Sequence, residues 1–132
     1  RESTSRAWRF AQRYKSRYAP GFMAGWDIGR AAMLTRWGCY LGWLTESEAV
    51  GILWDLSQKV VEELHSWREF AQSYLWGGLM WKMLCGDGSA GSYLGYIADA
   101  ATDLLAGNAE QDGGQWYDCP WPAQRKIGFT AF

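Results

Sequence analysis

The chain has 132 residues, the length of one domain, and its 48% hydrophobic against 20% charged residues exclude an intrinsically disordered chain. The formal net charge is −1, and no run of 18 apolar residues exists, which excludes an apolar transmembrane helix. The charge is unevenly placed: residues 1–36 carry a net +6 and residues 37–132 a net −7. The two parts are expected to compensate each other within one fold rather than to offer the basic end to phosphate or an acidic partner. No nucleic-acid-binding motif accompanies the basic end, so nucleic acid is not an expected partner.

Ten tryptophans raise the aromatic fraction to 17%. Each buried indole removes on the order of 150–250 Å² from water, so core packing is the first expectation and an aromatic pocket or interface the second. Three cysteines (Cys39, Cys85, Cys119) form an odd set without a C-x-x-C pair. They suit free thiols in a reducing, cytoplasmic compartment better than a disulfide framework. With His65 the single histidine, no metal site is expected, and no cofactor either. The chain starts at Arg1 and shows no secretory leader, so it is expected to be a fragment or a processed piece, with signal-less secretion left open.

In chain order, a first helix is expected over residues 3–18, capped by Ser3 or Thr4. Ala7, Phe10, Ala11, Tyr14 and Tyr18 recur at helical spacing, with Arg6, Arg9, Arg13 and Arg17 on the other face, and Pro20-Gly21 ends it. A second helix is expected over 22–37, where Trp26, Arg30, Met33 and Trp37 form one stripe and Gly38 is the stop. Thr45-Glu46-Ser47-Glu48 is a capping box that opens a third helix over 46–65. Ser66-Trp67-Arg68-Glu69 is a second box, opening a fourth over 67–85. Its central Gly77-Gly78 costs about 1 kcal/mol per glycine, which close approach of another helix or a bulky Trp would offset. After the Gly86–Ser89 turn a fifth helix is expected over 90–106, stopped by Gly107. Residues 108–132 read as an extended tail on the bundle, anchored by Trp116 and Trp121 and disordered after Pro122. The expected fold is all-α: a compact single-domain bundle of about five helices with an extended C-terminal tail packed on it.

Four segments carry a resemblance: residues 26–38 (WDIGRAAMLTRWG), 41–49 (LGWLTESEA), 66–81 (SWREFAQSYLWGGLMW) and 116–122 (WYDCPWP). In this order they resemble domain-of-unknown-function family 1266 of bacterial proteins, over Trp26–Trp121 and without the first helix. The resemblance implies a compact bacterial helical domain and, loosely, a secretion-system or toxin–immunity setting. It also implies a longer N-terminal part than this chain carries, and it supplies no reaction.

Among single residues, Asp27 and Arg30 are one helical turn apart inside an aromatic face, and form the candidate functional pair. Structurally they are expected as a partly buried ion pair; functionally, Arg30 would bind a carboxylate or other anion and Asp27 would orient it. Arg36 falls on the opposite face from Asp27, so one helix does not aim all three at one ligand. Trp26, Trp37, Trp67, Tyr74, Trp81 and Trp121 are the candidates for an aromatic pocket or interface. His65 is expected to meet helix C-terminal carbonyls rather than act as a base, and Cys39 and Cys85 to be small core residues. Glu46, Glu48, Glu62 and Glu63 read as caps and solvated faces. The expected function is a bacterial protein-interaction module whose partner is another protein. The alternatives are a small antibacterial effector or hydrolase centred on Asp27 and Arg30, and an aromatic-lined small-molecule binder.

Overall fold

At Thr45 the hydroxyl accepts from the Glu48 amide at 3.1 Å, and the Glu48 carboxylate accepts from the Thr45 amide at 2.8 Å. This closed capping box satisfies two orphan donors and fixes the start of a helix over Glu46–Glu63. The computed structural model describes residues 2–15, 20–108, 111–112 and 114–122. Among them lie α1 (Glu2–Tyr14), α2 (Ala24–Tyr40), α3 (Glu46–Glu63), α4 (Trp67–Leu84), α5 (Ala90–Ala106) and the short α6 (Gln115–Asp118). A 3₁₀ turn at Pro20–Met23 leads into α2. Two-residue strands, β1 (Gly107–Asn108) and β2 (Gln111–Asp112), pair antiparallel between α5 and α6. The all-α class read from the sequence is the class observed. The expected tail differs in detail, since it opens with this strand pair and α6 rather than a plain extended chain. Its end after Pro122, and Arg17 and Tyr18 of the expected first helix, lie outside the described residues.

Two local expectations change. Gly38 does not stop α2; it is buried inside it, and the helix continues to Tyr40. The left-handed residue is Gly42, at φ +77°. Around it the Trp43 amide donates to the Gly38 carbonyl (2.9 Å) and the Gly42 amide to the Cys39 carbonyl (3.1 Å), which is a Schellman closure. Leu44 then folds back over Gly38. At the second capping sequence, Ser66 accepts from the Glu69 amide (3.0 Å) as expected. The Glu69 carboxylate reaches one residue further, to the His65 amide (3.0 Å) and ring Nδ1 (3.2 Å). His65 therefore faces a carboxylate, not the carbonyl end of α3.

The helices are arranged around α4. α1, α2 and α5 all pack against it, whereas α3 packs on α2. Small residues set the α2–α4 distance. Gly25 lies against Ser73, Gly29 against Tyr74 and Phe70, and Gly77 against Trp26, so the two helices run in opposite directions. Gly78 is covered by Trp26 and Tyr93. The Gly77-Gly78 pair is thus offset by the close approach the sequence called for. The hydrophobic residues buried among those described are mostly small: Ala7, Ala49, Ala71, Leu64 and Leu79. None of the ten tryptophans is fully buried; five are half-buried and five are exposed.

Candidate functional site

Three features could carry function. The first surrounds Arg30. Trp26 and Arg30 are four residues apart on α2 and share a face, and Trp81 arrives from the last turn of α4. The guanidinium carbon stands 5.2 Å from the Trp26 ring centre and 5.9 Å from that of Trp81. Tyr74 and Tyr93 pack on Trp26 at 5.0 and 6.2 Å between centroids. Burial pushes both phenols above their ordinary range, with Arg30 opposing the shift in each. The Tyr93 hydroxyl is buried and has no hydrogen-bond partner among the described residues. Asp27 is exposed and forms no ion pair with Arg30. It lies in the first turn of α2, where a carboxylate suits the helix dipole. The expected ion pair is therefore replaced by a cation held over two indoles, worth about 0.5–2 kcal/mol.

The second feature is a groove. α2 and α5 flank α4 and meet where Tyr93 packs on Trp26, and a cleft of about 540 Å³ runs between them above α4. Each helix contributes residues at spacings of three, four and seven: Gly29, Ala32, Met33 and Arg36 from α2, and Trp67, Phe70, Ala71 and Tyr74 from α4. From α5 come Ile97, Ala100, Ala101 and Leu104. Alanines on two walls and the floor are why the space stays open. One end is closed by aromatic packing. Trp116 stacks on Trp67 (4.9 Å, 9° between planes), Trp121 meets Trp67 edge-on (4.9 Å, 89°), and the Trp67 indole N–H donates to the Cys119 carbonyl at 2.6 Å.

The third feature is the corner between α2 and α3. Leu34, Trp37, Tyr40, Leu41 and Trp43 are all more than half exposed, Tyr40 at 90% and Trp43 at 80%. Trp37 leaves the Trp26–Arg30–Met33 stripe because α2 outruns α4. Gly29 lies opposite Phe70 and Tyr74. Eight residues later, about 12 Å along the axis, α4 has ended at Trp67. On α3, Val50 and Trp54 are also exposed and line a shallow depression with Leu44, Ser47 and Gly51.

The six aromatic candidates therefore divide three ways: Trp26, Tyr74 and Trp81 gather at Arg30, Trp67 and Trp121 close the groove, and Trp37 belongs to the corner. The apolar turn of Tyr40, Leu41 and Trp43 reads from the sequence as packed down, but all three side chains are exposed. Trp54, Trp116 as a groove element and Arg36 as a groove residue are not singled out by the sequence. The spacing Gly29-Ala32-Met33-Arg36 was there to be read, but small residues on a helix face do not say whether a neighbour fills the space. Cys85 is exposed rather than a core residue, because α4 closes there into the Gly86 turn; Cys39 is half-buried. Among the described residues no group of three or more His, Cys, Asp or Glu could hold a metal ion, and no helix is long and apolar enough to cross a membrane.

Taken together, the fold and these surfaces define an all-α domain in which ring contacts tie α1, α2 and α6 to the central α4. The chain belongs to a family described as Protein of unknown function (DUF1266), whose model matches residues 1–121. The match takes in α1, which the four resembling segments did not reach. No curated protein matches the chain. No solved structure matches it either.

Proposed function

We propose that this domain is a protein-interaction module that docks through the α2–α3 corner. The observation that carries the reading is the run of five exposed large apolar residues between Leu34 and Trp43. Large apolar side chains exposed together along so short a stretch mark a contact site more often than free surface. Tryptophan and tyrosine are also the side chains most enriched among residues that dominate binding energy. Glu46, Glu48 and Asp55 are exposed on the adjoining face of α3. They suit a partner segment whose apolar face is flanked by basic residues. The bacterial setting and the secretion or toxin–immunity context belong to the same reading and rest on the family resemblance, whereas the cytoplasmic setting rests on the odd, C-x-x-C-free set of cysteines. Arg30 among its rings is accounted for by packing, and no observation favours the hydrolase alternative over docking.

The test is an affinity capture from the native host with the wild-type chain and a Trp37→Ala/Trp43→Ala double variant, both shown by circular dichroism to be folded. A partner that is retained by the wild type, lost by the variant, and bound again in purified form supports the reading. Equal capture by both chains places the interface elsewhere and removes the corner from it.

A further inference from the structure

We infer that the α2–α4–α5 groove is a binding site for a compact, ring-containing apolar carboxylate whose head is held by Arg36. The inference concerns a different surface from the corner and is independent of it. Arg36 is exposed at the rim of an otherwise apolar cleft and forms no ion pair among the described residues. Its place along the groove follows from the packing. Gly29 lies at the Tyr74 and Phe70 level, and Arg36 is seven residues further along α2, about 10 Å towards the Trp67–Trp116 stack. The cleft thus has an apolar floor of Phe70, Ala71 and Tyr74 and one cation near one end.

Size and shape narrow the ligand. A volume of about 540 Å³ falls in the range of small-molecule sites and is too small for a folded partner. Phe70, Tyr74, Trp67 and Trp116 offer ring faces and edges against which a flat aryl or alicyclic body packs at offset or edge-to-face geometry. The guanidinium fork accepts a carboxylate in bidentate fashion, which sets the orientation with the head at the Arg36 end.

The experiment is isothermal titration of 2-naphthoate and of neutral 2-naphthylmethanol into the intact chain. Wild type is expected to bind the acid saturably and more tightly than the alcohol. Arg36→Gln is expected to weaken the acid about tenfold and leave the alcohol unchanged. Filling the groove with Ala101→Phe should abolish both. Ala32→Leu serves as the milder version if the first variant does not fold, as judged by its melting curve. Trp54→Ala, on the far side of α3, should change neither. Three results overturn the inference: no saturable binding by wild type, an acid affinity indifferent to Arg36→Gln, or binding that survives groove filling in a folded variant. Sedimentation showing a dimer that Ala101→Phe or Ala32→Leu dissociates would place a second copy in the groove and likewise overturn it.

Discussion

Ser73 has no exposed surface and does at a distance what a capping residue normally does next door. The turn before α2 ends at Met23, which offers no side-chain cap, and the orphan amide of Gly25 instead donates to Ser73 Oγ on α4 at 2.8 Å. Replacing Ser73 by Ala leaves that amide buried and unpaired, with an expected loss of about 1–3 kcal/mol in urea unfolding. Tyr93 behaves in the opposite way. Its hydroxyl is buried without a partner among the described residues, so Tyr93→Phe removes a desolvated group and no hydrogen bond. The expected melting temperature of Tyr93→Phe is equal to or above that of wild type; a clear drop would show that the hydroxyl is satisfied. Neither role was legible in the sequence. A serine in mid-helix and a tyrosine in an apolar stripe look the same whether or not a partner from another helix meets them. The same limit applies to Asp27 and Arg30. Their spacing allows an ion pair, but the indole of Trp81, 51 residues beyond Arg30, takes the guanidinium instead.

At the scale of elements, the sequence was most informative where the chemistry is local. The Thr45 capping box, the Gly107 stop and the turn after α4 needed only neighbouring residues, and all are present. The end of α2 was misplaced by a few residues because two glycines, Gly38 and Gly42, could each have supplied the left-handed step. Leu44 decides between them by covering the first. Gly42→Ala should therefore destabilise the corner by about 1 kcal/mol, whereas Gly51→Ala, in open space on α3, should raise stability slightly; paired melting curves test both. The capping box also predicts a pH response. The Thr45 amide and hydroxyl hold the Glu48 carboxyl below its ordinary range. A depressed folded value means that the stabilisation is present above the unfolded carboxylate pKa and is lost as pH falls through the folded one. The melting-temperature gap between wild type and Glu48→Gln should accordingly be open at pH 7 and narrow as the solution is taken below about pH 4. A gap of constant width would show that the carboxylate is not part of the cap.

For the whole molecule, the decisive fact is the division between a helix at the centre and one at the edge. α4 is covered by three neighbours, whereas α3 leans on α2 and turns Val50, Ile52 and Trp54 to solvent. Stability should be uneven in the same way. Hydrogen exchange is expected to open α3 at a lower free energy than α4; equal protection would mean that α3 is fastened by contacts beyond α2. Helix number and class could be read from periodicity and caps, but this hierarchy could not, because it depends on which apolar faces meet and which stay unpartnered. The small-residue seam between α2 and α4 has a further consequence for how the protein tolerates mutation. Where bulky side chains interlock, the severe changes are deletions of volume. At Gly25, Gly29, Gly77 and Gly78 there is nothing to delete, and a single added methyl group would meet Ser73, Tyr74, Trp26 or Tyr93. In a comprehensive mutational scan the seam should invert the usual pattern: alanine, ordinarily the mildest replacement in a helix, would be a lesion there, and sequences drifting neutrally would be held at these four sites by size alone.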